Sequence, residues 1–269
     1  MQVFADDGAR IDARVDGQKR ARAVVLIHGF PFARAIWDAQ TVALAETARV
    51  VRPDMRGAGT SSVPDGPYLM ETMASDVAVL LDTLGIERCS LVGHSMGGYV
   101  ALAFARMFTE RVERLALVCS RLSGDTPQQA AARGELAARV EREGSIEPVI
   151  EAYLPRMFAA RTREARPDVV ERAYAIARSI DPLGAAAALR GMALRPTSED
   201  IAEDLNVPAL VVAGACDNVV SLDESRAIAR RFPHGELIAC EESGHLAMLE
   251  EPDRVSEALR AWLADDRVV

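Results

Sequence analysis

Six short runs of apolar, mostly β-branched residues set the framework of this chain: Ala23–Ile27, Val50–Pro53, Ser90–Val92, Leu115–Cys119, Leu210–Ala213 and Leu237–Cys240. They lack the alternation of a half-exposed strand. Continuous runs of this length suit strands covered on both faces of a parallel sheet. Helical patterns lie between them. Met70, Met73, Val77, Leu80, Leu81 and Leu84 recur three and four apart, and Gly85 ends that helix. Gly97–Phe108 reads as a mostly apolar helix, as expected between a sheet and other helices. Leu222–Phe232 and Asp253–Leu263 are two more, the last opening after Pro252. The alternation predicts an open α/β sheet with helices on both faces. Gln2–Phe4 and Arg10–Val15, around the turn Asp7-Gly8, predict an antiparallel hairpin on its edge.

The rhythm changes between Leu122 and Pro196. Strand-like runs vanish, and Ala, Arg and Glu dominate, with breakers at Gly144-Ser145, Pro155, Pro167, Pro182 and Gly191. This predicts about four short helices, inserted where loops gather above the sheet. The expected division is a core of residues 1–120 and 197–269 and a helical cap of residues 121–196. The chain has 269 residues, 49% hydrophobic and 26% charged, enough to bury a sizeable core and too apolar for disorder. Its longest near-continuous apolar run, Val207–Cys216, has about half the length of a membrane span. A formal net charge of −9 argues against a nucleic-acid partner. The opening MQVFADDGAR has no basic and apolar leader pattern, so the expected location is cytoplasmic. Four cysteines, at 89, 119, 216 and 240, show no paired spacing and read as buried free thiols. Four scattered histidines make no zinc pattern.

The sharpest chemical signal is Gly93-His94-Ser95-Met96-Gly97-Gly98, between a strand and an apolar helix. A serine hydroxyl is a weak nucleophile unless it is held out of the fold beside a base. A tight strand-to-helix turn holds it out, and glycines two before and two after give the crowded backbone room. The helix start also aims free N–H groups at the site. Upstream, the strand Val24–Ile27 ends in His28-Gly29-Phe30-Pro31. Acyl transfer needs two donors at the developing oxyanion. The amides of Met96 and Phe30 are the candidates, and His28 reads as a brace beneath the loop. The base is expected on a late loop, which leaves His245 in Ser243-Gly244-His245. His94 reads as packing and His234 as a surface turn. An acid should follow a strand between serine and histidine. Asp217, after Leu210–Ala213, fits best; Asp125 is the second candidate, and Asp223 belongs to the first turn of the next helix. The substrate pocket is expected around Phe30, Met96, Val219 and Leu246, with Leu154, Met157, Phe158 and Met192 from the cap. Trp37 and Tyr99 read as core, and Arg34 as an exposed helix arginine.

Taken in order, these residues resemble the α/β-hydrolase superfamily. The resemblance covers nearly the whole chain, including Asp54-Met55-Arg56-Gly57-Ala58-Gly59-Thr60-Ser61 and Leu249-Glu250-Glu251-Pro252. It implies an eight-stranded, mostly parallel sheet, a helical cap, and a loop braced by Asp54 and Arg56. Serine at residue 95 sets the chain apart from relatives that use aspartate on haloalkanes or epoxides. The His-Gly-Phe-Pro loop resembles small esterases, enol-lactonases and cofactor-free perhydrolases. The expected activity is hydrolysis of small esters, lactones or thioesters through an acyl-enzyme, with water as the second reactant and no metal or cofactor. Perhydrolysis and carbon–carbon bond hydrolysis use the same triad and stay open, as does a non-catalytic receptor. The sequence assigns no oligomeric state.

Overall fold

The computed structural model describes residues 1–265. Strands β1 (Gln2–Phe4) and β2 (Arg10–Gly17) form the expected antiparallel hairpin, with Val3 opposite Ile11. Then come β3 (Ala23–Ile27), α1 (Asp38–Leu44), β4 (Arg49–Pro53), α2 (Met70–Thr83), β5 (Cys89–His94), α3 (Met96–Met107) and β6 (Val112–Val118). Among the described residues the sheet has eight strands, in the order β1-β2-β4-β3-β5-β6, completed by β7 (Ala209–Gly214) and β8 (Gly235–Cys240). The first two strands are antiparallel to their neighbours and the rest run parallel. Every residue of β3, β4 and β5 is buried, which is why these runs are continuous rather than alternating. Arg52 is buried within β4 and survives there by pairing with Asp16 and Asp38. β3 matches its apolar run, β4 to β8 begin one to three residues before theirs because backbone pairing includes polar ends such as Arg114 opposite Ser90, and β6 stops at Val118, one residue short of Cys119.

The helices cover the faces as their patterns require. Met70, Met73, Val77, Leu80 and Leu81 form the buried side of α2, which packs on α3. Burial of side chains of this size contributes about 1.5–3 kcal/mol each. Between β6 and β7 the chain forms α4 (Pro127–Glu143), α5 (Glu147–Met157), α6 (Ala160–Ala165), α7 (Pro167–Arg178) and α8 (Pro182–Leu194). That is five helices rather than about four. Pro155 lies inside α5, near its end, and Gly191 lies inside α8, so neither breaks a helix as expected. Pro167 and Pro182 instead open helices, where a missing N–H costs nothing. The chain continues through α9 (Glu199–Asp204), α10 (Leu222–Arg231), α11 (Ala247–Glu250) and α12 (Pro252–Ala264). The inserted helices are anchored to the loops after β4 and β8: Tyr68 donates its N–H to the Ala187 carbonyl at 3.1 Å, and His245 to the Met157 carbonyl at 2.7 Å. They therefore lie over the carboxyl ends of the strands, the edge where such sheets gather chemistry. Among the described residues no helix is long and apolar enough to cross a membrane.

Candidate active site

Ser95 is the single residue between β5 and α3, and its backbone stands at φ 49° and ψ −114°. An L-residue with positive φ is strained by roughly 1–3 kcal/mol and persists when its surroundings over-determine it. Here the Ser95 N–H donates to Val118 at 3.0 Å. Its carbonyl accepts from the Gly98 N–H at 2.9 Å and from the Ser120 hydroxyl at 2.8 Å. The flanking glycines are needed for space. A Cβ on Gly93 would lie 2.3 Å from the Gly97 carbonyl oxygen, and one on Gly97 would lie 2.3 Å from that of Ile27.

The structure brings Ser95, His245 and Asp217 together. His245 Nε2 is 2.9 Å from Ser95 Oγ, and His245 Nδ1 is 2.7 Å from Asp217 Oδ2. An ionised carboxylate only accepts, so Nδ1 carries the hydrogen and Nε2 is left to accept from the serine hydroxyl. The other oxygen of Asp217 accepts from the amides of Val219 at 2.6 Å and Val220 at 3.1 Å. The carboxylate is thus fixed from both ends. The loop carrying His245 is held by one buried acid, Glu250. Its Oε1 accepts from the amides of Gly244 and Leu246, and its Oε2 from the amide of Ala159 and the hydroxyl of Thr162. Burial raises the Glu250 pKa against the pull of those four donors.

The amides of Phe30 and Met96 take no part in the backbone bonds that tie their turns, among the described residues: Phe32 donates to Gly29 and Gly98 to Ser95. The Met96 amide adjoins Ser95, and the Phe30 amide follows β3, which pairs with β5. His28 lies under this loop. Its Nε2 accepts from the Met55 amide at 2.9 Å and its Nδ1 donates to the Gly29 carbonyl at 3.0 Å. His94 is buried, and its Nε2 donates to the carbonyl of His245 at 2.9 Å. It does more than fill space, since it bonds to the backbone of His245. Burial, then the neighbouring charge of His245, holds its pKa well below 6.5. His234 bonds Asn206 at the surface.

The other expected residues fall in several places. Leu246 is fully buried at the start of α11, and Val219 is half-buried beside Asp217. Leu154, Met157, Phe158 and Met192 are all buried. Phe158 stacks on Tyr174 with centroids 6.5 Å apart, and Met192 Sδ lies 3.6 Å from Arg133 Nη1. Trp37 meets His94 edge-on at 6.4 Å, within the core. Asp54 accepts from the amides of Arg34 and Thr60, and Arg56 pairs with Asp76 and Asp7, so both brace the loop after β4. Three expectations need correction. Arg34 is not an exposed helix arginine: it is paired to Asp12 and Asp54 and mostly covered. Cys216 is exposed, because it sits in the turn after β7 and not within a strand. Asp125 lies in a cluster with Arg133 and Arg195, away from the His245 hydrogen bond.

Sequence reasoning misses that cluster and the role of Glu250, whereas Cys119 is the buried free thiol it expects. Leu249-Glu250-Glu251-Pro252 carried the signal for Glu250, as a segment shared with relatives. Cys119, Asp217 and His245 bring metal-ligand atoms within 4.8 Å of one another. Two of those three groups are bound to each other, and burial raises the Cys119 pKa well above its usual value. This set is thus poorly suited to hold a metal ion, which needs the thiolate and a free ring nitrogen.

Comparison with known proteins adds four findings. A family model described as the alpha/beta hydrolase fold matches residues 22–252. A thermophilic esterase from Thermogutta terrifontis, solved with malate bound, is 38% identical and superposes with a TM-score of 0.94 over 98% of each chain. The enol-lactonase from Burkholderia xenovorans LB400 is 28% identical, with a TM-score of 0.91 over 98% of this chain and 100% of that one. By sequence, 3-oxoadipate enol-lactonase 2 of Acinetobacter baylyi is 27% identical over 248 residues, 91% of this chain and 90% of its own.

Proposed function

The chain belongs to the alpha/beta hydrolase fold family, and from that premise we propose that it cleaves small carboxylic esters or lactones through an acyl-enzyme on Ser95. The observation that carries this reading is the continuous relay Ser95–His245–Asp217, at 2.9 and 2.7 Å. Ser95 Oγ attacks the carbonyl carbon as His245 Nε2 takes its proton. Asp217 keeps the imidazole in the right tautomer and stabilises the imidazolium. The amides of Phe30 and Met96 receive the oxyanion. His245 then returns the proton to the leaving oxygen, and water repeats the attack on the acyl-enzyme. His94 remains neutral throughout, so the proton stays on the ring that faces Ser95.

The inserted helices act as the cap, residues 121–196, over a core of residues 1–120 and 197–269. Phe30, Val219 and Leu246 line the acyl site from the core, with Leu154, Met157 and Met192 from the cap, while Phe158 stacks on Tyr174 in the cap's own core. The chemistry runs on these side chains with substrate and water, and the protein works in the cytoplasm. Perhydrolysis and carbon–carbon cleavage run on the same three residues, and a panel of esters, lactones, peroxide and diketones separates them. The first test is Ser95→Ala with a short nitrophenyl ester. Turnover is expected to fall to about 10⁻³–10⁻⁶ of the starting rate with the fold retained. A serine-directed organophosphate should label Ser95. Activity surviving in Ser95→Ala would overturn the reading.

A further inference from the structure

Buried charges are stable when each meets its opposite. Beneath the inserted helices this balance is not met. The Asp125 carboxylate has 1% of its side chain exposed and faces two guanidiniums: Arg133 Nε at 2.5 Å and Arg195 Nη1 at 2.7 Å. An exposed cation, Arg156, lies 5.0 Å from the ring of Tyr153, whose hydroxyl accepts from Arg133. The carboxylate whose charge bears on Arg133 is Asp125, and the phenols of Tyr153 and Tyr99 lie near it. Burial raises the Tyr153 pKa further above its usual range, so that phenol is neutral at neutral pH. One buried carboxylate thus serves two cations.

The two arginines differ in what they have left to give. Arg195 donates through Nη1 to Asp125 and the Met192 carbonyl, and through Nη2 to the Ser123 carbonyl. Its plane lies over Tyr99 at 4.0 Å. Arg133 donates through Nη1 to the Tyr153 hydroxyl at 2.9 Å, but its Nη2 makes only a long contact of 3.5 Å to Asp125. A guanidinium nitrogen of this kind has two N–H groups. Arg133 also keeps 16% of its side chain exposed. The cluster is tied to the reaction site from two sides. The Tyr153 ring meets the Phe30 ring edge-on at 5.6 Å, and Tyr99 stands one helical turn after Ser95 on α3.

We propose that Arg133, with Tyr153 and Tyr99 beside it, receives a free carboxylate on the substrate, so that the enzyme prefers an ester or lactone that is itself a carboxylate anion. The proposal rests on the ester-hydrolase reading and narrows it. The bonds made and broken are unchanged: water cleaves the acyl–oxygen bond, releasing a dicarboxylate and an alcohol, or an opened hydroxy diacid from a lactone.

The test compares monomethyl glutarate with methyl valerate, which differ by a carboxylate in place of a methyl group. Hydrolysis is followed by proton release at pH 7.5. The wild-type protein should favour the glutarate by roughly 10–100-fold in kcat/KM, mostly through KM. Arg133→Met should collapse that ratio, and Arg133→Lys should restore part of it. Glutarate should inhibit methyl valerate hydrolysis competitively, and glutaramide should not. This last comparison needs no variant, so it stands even if Arg133→Met fails to fold. A wild-type ratio near one, with no inhibition by glutarate, would overturn the proposal. A ratio unchanged in a folded Arg133→Met would overturn the role of Arg133. If neither ester is cleaved, it is the esterase reading that fails.

Discussion

The backbone N–H of His245 donates to the carbonyl of Met157 at 2.7 Å, so the proposed general base hangs from the last residue of α5. Glu250 reinforces the same junction, accepting from Gly244 and Leu246 on one side and from Ala159 and Thr162 on the other. The inserted helices and the base loop thus share one carboxylate.

This junction makes Glu250→Gln informative. All four of its partners are donors, and an amide offers one oxygen and one NH₂. On the Oε1 side the NH₂ faces two amide N–H groups with nothing to accept it; on the Oε2 side it can donate to the Thr162 hydroxyl oxygen but still faces the Ala159 N–H. The expected loss is about 1–3 kcal/mol, seen in denaturant unfolding. Because either placement loosens the junction that holds Gly244 and Leu246 beside His245, kcat should fall more than KM rises. A variant with wild-type stability and kcat would show that the four bonds do not position His245.

Asp217→Asn keeps the shape of the acid but favours the wrong tautomer of His245. Turnover should drop by up to about 10⁴, with the melting temperature little changed. Asp125→Asn should behave in the opposite way. It leaves two guanidiniums without their buried partner, which costs about 3–5 kcal/mol. Steady-state kinetics and thermal unfolding of the pair distinguish the two aspartates. An inactive but fully stable Asp125→Asn would return it to the place of catalytic acid.

The contrast between these aspartates also shows what could be read from the sequence. Ser95, Asp217 and His245 each follow a strand, and strand ends are visible as the ends of apolar runs. Their chain order then does the rest. The Asp125 cluster has no such marker. Its arginines lie 8 and 70 residues away in the chain, and arginine is frequent throughout the insertion. Nothing local distinguishes Arg133 on α4 from the exposed Arg139 on the same helix. Arg34 was misjudged for a related reason: its partners, Asp12 and Asp54, come from two other elements. Pro155 misled in the other direction, because a proline near the end of a helix forfeits little of the remaining bonding.

His94 leads to a pH prediction. Burial, then the charge of His245, depresses its pKa below the ordinary 6.5, so the native state does not take up the proton that the unfolded chain binds. His28 is depressed as well, again through burial first. The unfolded state therefore binds more protons below pH 6.5. Stability present above 6.5 must be lost as pH falls through that value, by up to about 1.4 kcal/mol per pH unit for each histidine. Glu250 acts oppositely: its raised pKa gives a contribution that is complete below 4.5 and lost as pH rises through the raised value. That share cancels when wild type is compared with His94→Gln, which keeps a donor for the His245 carbonyl but does not titrate. Unfolding free energy measured from pH 5 to 7.5 should be flatter for His94→Gln. Parallel curves would mean that His94 is protonated in the native state.

The apolar residues of the insertion divide by what they touch. Phe158 stacks on Tyr174, within the insertion. Met192 lies against Arg133, the guanidinium that retains free N–H groups. Both are buried, so both substitutions to alanine remove packing. Phe158→Ala should cost about 3–5 kcal/mol of stability and change the ranking of ester chain lengths little, because the ring serves the insertion's own core. Met192→Ala should open space beside the substrate. It should shift the preferred acyl chain to a longer one, with discrimination changed by roughly 1–3 kcal/mol per methylene-sized contact. The methyl esters of acetate through octanoate supply the profile, as kcat/KM for each variant. The acetate should stay within about tenfold of wild type, since its acyl group is too short to reach Met192. Identical profiles for wild type and Met192→Ala would place the acyl chain elsewhere, against Val219 and Leu246 on the core side of Ser95.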